Sequence, residues 1–318
     1  MQCRVVFFVS ALALVLATVV LAPASVAAQP ATTKAKKPWT PPHMPDGHPD
    51  FQGIWDFRTA TPLERPREFA GKEFFTSQEA AEFEQRSAER IRETLAVHPA
   101  FWLDYGQNVL ANRRTALIVD PPDGRVPSLT PEAQQKAAAV RAEARRTRGD
   151  GPEDFSLGER CILFGAGPPI VPGPYNNNIQ IVQTRDTVVV FNEMIHDARI
   201  IPLDGRPHLP PHIRTLLGDS RGRWDGDTLV IETTNFTDRT RFRGSDENLR
   251  LIERFTRTDP DTLMYEFTVD NPTVFTASWT AALPMTRSDE HMYEYACHEG
   301  NYGLQNMLTS ARYAEKKQ

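Results

Sequence analysis

The chain has 318 residues, with 36 Lys and Arg against 41 Asp and Glu, a formal charge of −5, and 26 prolines. No basic stripe runs along it, so its composition speaks against nucleic-acid binding. The length suits one large domain or two small ones.

Met1 to Ala28 reads as a secretory signal. Arg4 supplies the positive start, Val5 to Leu21 is apolar, and Ser25-Val26-Ala27-Ala28 offers small residues for cleavage near Gln29. The competing reading is an uncleaved anchor, because the apolar run approaches a spanning length. Cleavage predicts a periplasmic or secreted protein with no stable membrane anchor. Residues 29–45 read as a flexible, Pro- and Lys-rich lead-in. Residues 46–318 read as a single β-rich domain with a helical insert at about 76–149.

The domain opens on Asp46-Gly47-His48-Pro49-Asp50, where the alternating acids and the His suit turn chemistry better than a metal site. A short strand follows at Ile54 to Phe57. Thr76-Ser77-Gln78-Glu79 is a capping box. The helix it starts runs to about Leu95, with Ala80, Phe83, Ser87, Ile91 and Leu95 on one stripe. Ala116 to Val119 reads as a strand. Thr130 caps a second helix with Pro131 in its first turn, ending near Gly149. Both helices are expected outside the sheet or over one mouth of a barrel. Leu157 to Asn178 is rich in Gly and Pro and has no Gly-Lys-Ser/Thr phosphate loop. Its closing Asn176-Asn177-Asn178 could cap a turn or contact a ligand.

From Asn178 to Gly300 the pattern reads as four hairpins. Their strand pairs are 179–183 with 188–193, 221–224 with 228–233, 251–256 with 263–269, and 275–281 with 293–297. Asp225-Gly226 predicts a type I′ turn. Alternation places Val188, Val190, Leu229, Ile231, Leu263, Tyr265, Phe267, His291, Tyr293 and Tyr295 on one face. Glu193, Glu232, Glu266 and Glu294 fall on the other. Those glutamates fit either a solvated outer face, paired with Arg223, Arg254 or Arg257, or an acid-lined lumen. The expected fold is mainly β: an up-and-down antiparallel meander closing into a lipocalin-like barrel, with two accessory helices. A two-sheet sandwich is the alternative.

Chemistry is expected at two strand ends. Glu193-Met194-Ile195-His196-Asp197-Ala198-Arg199 gathers two acids, a His and an Arg, and Tyr295-Ala296-Cys297-His298-Glu299 ends the last predicted strand. Alternate strand ends of a meander meet at one rim, so the segments are expected to converge. His196 and His298 are then candidate acid/base groups, with Asp197, Glu193 and Glu299 as acids. Arg199, Asn178, Trp279 and Tyr295 are candidate substrate contacts. The plainer reading of His196-Asp197-Ala198-Arg199 is a local salt-bridge cluster. His208 and His212 have i, i+4 spacing, but two intervening prolines bar the helix that would use it. Ser220 lacks a Gly-x-Ser-x-Gly elbow, so a serine hydrolase is not supported.

The Gly53-x-Trp55 pair resembles the opening strand of lipocalins, which implies a small barrel closed at one end. Asp46-Gly47-His48-Pro49-Asp50, Gly218-Asp219-Ser220-Arg221-Gly222-Arg223-Trp224 and Cys297-His298-Glu299-Gly300-Asn301 together resemble exported proteins of unknown function from environmental bacteria. That resemblance implies export and one domain, and no particular activity. The function expected is handling of a small organic ligand in a barrel cavity. Its form is either metal-independent, cofactor-free acid/base turnover (elimination, hydration, isomerisation or cyclisation), non-catalytic ligand binding, or a structural envelope role.

Cys3 lies in the signal, which leaves Cys161 and Cys297 as an even pair in an exported chain. A catalytic Cys competes, but neither residue sits in a nucleophile motif. The pair predicts a disulfide across the meander that contributes roughly 4 kcal/mol in the chain-entropy account. Thiol titration of the unfolded, unreduced protein is expected to find neither cysteine free, and two reactive thiols would remove the bridge.

Overall fold

The computed structural model describes residues 39–94, 96, 105–147, 149–164, 167–239 and 242–316. The signal segment and most of the lead-in lie outside the described residues. Among the described residues, no helix is long and apolar enough to cross a membrane.

Ten strands form one antiparallel sheet. They are β1 (Gly53–Asp56), β2 (Ile118–Asp120), β3 (Asn178–Gln183), β4 (Thr187–Asn192), β5 (Ala198–Pro202), β6 (Asp219–Asp225), β7 (Thr228–Thr234), β8 (Arg250–Asp259), β9 (Thr262–Asp270) and β10 (Trp279–Ser288). The order is β5-β4-β3-β1-β10-β9-β8-β7-β6, with β2 added beside β10. The predicted alternation holds along β4, β7 and β9, where Val188, Val190, Leu229, Ile231, Leu263, Tyr265 and Phe267 are all buried.

Three helices accompany the sheet: α1 (Ser77–Thr94), α2 (Pro131–Thr147) and α3 (Gly303–Glu315). The capping box closes as expected, with Glu79 N donating to Thr76 Oγ1 at 3.2 Å and Thr76 N to Glu79 Oε2 at 2.8 Å. Thr130 Oγ1 accepts from Ala133 N at 3.1 Å at the head of α2. The expectation included no helix at α3.

Three features of the expected meander need correction. The fourth hairpin does not form. β10 begins at Trp279 and runs to Ser288, and residues 289–302 contain no strand. One flank of β10 is held by β9 and the other by β1, through Ile54 opposite Ser288 and Trp55 opposite Arg287. A return strand at 293–297 therefore has no edge to join. Second, the hairpins are not consecutive in space, because β1 inserts between β3 and β10 and splits the array into β3–β5 and β6–β10. Third, the β6–β7 register pairs Asp225 with Thr228, so the loop is Gly226-Asp227 with positive φ at Gly226 alone. Glycine at the first central position suits a type II′ turn rather than the expected type I′.

The sheet is not closed, since no ladder joins β5 to β6. It is nevertheless strongly curled. β5 and β8 stand six places apart in strand order, roughly 29 Å across a flat sheet at the usual strand spacing. Their side chains touch, with Arg199 bonded to Glu253. The enclosed volume is filled by Trp55, Phe255, Tyr265, Phe267 and Trp279, while Phe51, Phe236 and Phe275 come in from the loops. Tyr265 and Phe267 lie 5.7 Å apart, and Phe267 meets Trp279 edge-on at 5.8 Å. Burying each such ring contributes about 1.5–3 kcal/mol, so the packed interior is what bends the sheet. Glu232 and Glu266 are half-buried on the outer face, with Glu232 on Arg250 and Glu266 in register with Arg254. The solvated-face reading holds for these two.

Gly222 marks where β6 meets β5. A Cβ there would stand 2.5 Å from Leu203 Cδ2 and 3.0 Å from Ile201 Cγ2. Gly222→Val is expected to overpack this contact and lower stability by roughly 1–3 kcal/mol. Urea unfolding reads the change, and an unaltered midpoint would mean the two edges do not pack together.

Candidate functional site

The antiparallel register sorts the connections by length. At one end of the sheet the turns are short: 184–186, Gly226-Asp227 and Pro260-Asp261. At the other end β1 is followed by residues 57–117, β3 is preceded by 152–177, and the links 193–197, 235–249 and 271–278 join neighbouring strands. Long loops on a rigid scaffold are where binding and catalysis concentrate.

Two predicted segments converge at this rim. Met194 and Ile195 are buried and pack against Tyr175, Tyr295 and Cys297. Cys161 and Cys297 stand at bonding distance, S–S 2.06 Å, which pins the second segment there. The Tyr175 and Tyr295 rings stack with centroids 6.4 Å apart. Burial, reinforced by the Tyr175 hydroxyl, pushes the Tyr295 phenol up to about 12. Asn178 Nδ2 donates to Glu193 Oε2 at 2.9 Å, and Glu193 is only 9% exposed. Asn192 N donates to Asp197 O at 2.8 Å and closes the tight turn. Within that turn Ile195 has φ 56°, a left-handed conformation costly for a β-branched residue. The side chain of His196 lies outside the described residues. His298 and Glu299 are exposed.

Two other candidates lie elsewhere. Trp279 is wholly buried among core aromatics. Arg199 is on β5 opposite Val190, and the parity of that pair turns its side chain inward. Its guanidinium forks onto Glu253 at 2.5 and 3.0 Å. Tyr265 donates to the same carboxylate at 2.7 Å and accepts from Ile170 N at 3.0 Å. Arg199 is 5% exposed, and Glu253 and Tyr265 are 0%. Burial alone would lower the Arg199 pKa, but the Glu253 charge outweighs it and holds the group above its usual value. Burial, then the same carboxylate, pushes the Tyr265 phenol well above its ordinary range.

A third cluster was missed by the sequence reading. His208 Nδ1 lies 2.8 Å from Asp219 Oδ2, and Asp219 is 7% exposed. The same oxygen accepts from Leu209 N at 3.0 Å, and Oδ1 meets Arg221 Nη1 at 2.7 Å. A carboxylate accepts, so the contact suits a proton on Nδ1 of His208, which in the neutral ring leaves the lone pair on Nε2. Nε2 stands 3.7 Å from Glu232 Oε1. A hydrogen bond from Arg250 to Glu232 holds that carboxyl below its usual range. The loop is locked by Asn235 Nδ2, which reaches the carbonyls of Leu209, Pro210 and Ile213 at 2.9–3.1 Å. The ring is 26% exposed, so solvent reaches it. This is a partly exposed imidazole held in one orientation between two carboxyl groups. The contact spans eleven residues through a proline-rich loop, and no spacing rule signals it.

The Asp46–Asp50 stretch forms turns, with His48 N on Asp46 Oδ1 and Gln52 N on Asp50 Oδ1. The His48 ring stacks on Trp224 at 4.7 Å.

Removing one member of the buried pair should leave an uncompensated charge. Arg199→Met is expected to cost roughly 3–5 kcal/mol, and Arg199→Met with Glu253→Met to recover much of that loss. Urea unfolding of these two variants and of Glu253→Met measures it, and strictly additive costs would show that the two groups do not depend on each other. Comparison with known proteins gives no match: no protein-family model, no curated protein and no solved structure matches this chain.

Proposed function

We propose that the protein is an exported enzyme that moves protons on a small organic molecule, with His208 as the proton-transfer group. The observation that carries this reading is the 2.8 Å contact of His208 Nδ1 with the buried Asp219 carboxyl. The bond orients the ring and favours the proton on Nδ1, which makes Nε2 of this partly exposed side chain the base. Nε2 takes a proton from a carbon or oxygen of the substrate, Asp219 and Glu232 stabilise the imidazolium, and the proton returns to a different atom. Elimination, hydration, isomerisation and cyclisation all fit this cycle. The Cys161–Cys297 pair and the signal-like start of the chain support export.

A second location is favoured by one observation, the left-handed Ile195 that fixes buried Glu193 on Asn178. In that reading Glu193 performs the same step.

Solvent-deuterium exchange separates the two. The purified protein is incubated in D2O with a panel of small hydroxy, keto and unsaturated compounds, and exchange is followed by proton NMR. Wild type is expected to label at least one compound, and His208→Gln to slow labelling by ~100-fold or more. Asp219→Asn should slow it as well, by releasing the tautomer. Unchanged labelling in His208→Gln with loss in Glu193→Gln would move the site to the Ile195 turn. No labelling of any compound would defeat the enzyme reading.

A further inference from the structure

A cleft of about 360 Å³ opens at the long-loop rim, between residues 59–63, the end of α1, Tyr105-Gly106 and the 171–174 segment. Its walls are mostly apolar, with Leu63, Ile91, Leu117 and Val171 among them. Among the described residues, Arg243 is the single charged residue lining it, and no carboxylate lines it.

Arg243 is placed there by its neighbours. Phe242 wedges against Phe267 and Trp279, with centroids 6.0 and 5.9 Å away. The chain then turns back through Arg243 at φ 54° and Gly244 at φ 91°. The left-handed region is natural for Gly244 and costly for Arg243, whose side chain carries a Cβ. Three other arginines of the sheet are neutralised, Arg199 by Glu253, Arg221 by Asp219 and Arg250 by Glu232. Arg243 is exposed and has no carboxylate partner among the described residues.

The walls are set before any ligand arrives. Thr61 Oγ1 accepts from Leu110 N at 2.9 Å, and Thr59 Oγ1 donates to Asn108 O at 3.1 Å. Across the cleft, the Asn177 side chain accepts from Gly173 N at 2.7 Å and donates to Gly173 O at 3.1 Å. The two threonine hydroxyls thus help fix the wall, and among the described lining residues the guanidinium is the one cation beside the neutral hydroxyls of Thr59, Thr61, Ser87 and Tyr105.

We infer that this cleft binds small monocarboxylic acids with an apolar body, the carboxylate on the Arg243 fork and the body against Leu63, Ile91 and Val171. One cation matches one negative charge, and a guanidinium pairs with a carboxylate through two parallel hydrogen bonds. A phosphate dianion would be left half-neutralised against apolar walls. The volume suits a single ring or a short chain. This site is independent of His208 and stands or falls without it.

Isothermal titration of the whole protein with benzoate and hexanoate, each against its neutral amide, tests the inference. Each acid is expected to bind at least ~10-fold more tightly than its amide, with affinity falling as salt rises. Arg243→Gln should erase the preference for acid over amide. Arg243 is exposed, so the variant is expected to keep the wild-type unfolding midpoint. Equal binding of acid and amide, no acid binding up to ~10 mM, or a preference that survives Arg243→Gln would each overturn it.

Discussion

The contact between Arg199 and Glu253 is the constraint on which the rest of the architecture depends. It joins the edge strand β5 to β8 across the inside of the sheet, and it can form only if the sheet curls through most of a turn. Placing both charges there carries a large desolvation penalty. The fork geometry and the Tyr265 hydroxyl offset it by satisfying both carboxylate oxygens. Apolar rings of similar volume would fill the same space with less electrostatic risk. The pair adds position: an inward Arg on β5 has its partner at one place on β8, so curl and register are fixed together. The interior aromatics supply the attraction, and the ion pair selects among the ways of packing them.

That filled interior changes where chemistry can happen. A lipocalin-like reading of Gly53-x-Trp55 implies a lumen, and Trp55 here is fully buried beneath Arg257, whose guanidinium lies 5.6 Å from the ring. The space a ligand would use is taken by Phe255, Tyr265, Phe267 and Trp279. Ligand chemistry is left to the rim, where the long connections lie. A rigid, packed sheet suits that division, because its strand ends hold loops such as 203–218 in one arrangement through bonds like those of Asn235.

Much of the sheet was legible because alternation is local. The inward residues of β4, β7 and β9 follow from the two-residue period, and each hairpin turn is a few residues long. What was not legible is non-local. β1 pairs with β3 and β10 across more than a hundred residues of chain, and nothing in Gly53-Ile54-Trp55-Asp56 names those partners. The false fourth hairpin has the same cause: Tyr293 and Tyr295 alternate well enough for a strand, but β1 had already taken the edge they needed. Alternation states which face a residue would occupy, and pairing decides whether it occupies one.

The candidate residues divide along the same line. Asn178 bonds Glu193, and Tyr295 packs against the neighbouring Met194-Ile195 turn, where strand-end position and a disulfide were both readable from sequence. Arg199 was read within the strand end Glu193–Arg199, whereas it lies inside the strand Ala198–Pro202, and one step of parity separates a rim cation from a core cation. His208 was passed over because its value lies in Asp219, and only the fold of the loop brings them together. Histidines near acids in sequence are common and freely solvated. A histidine becomes a defined base when a buried acceptor fixes its proton, and that property belongs to the loop's path across β6, with Asn235 and Arg221 as its other anchors.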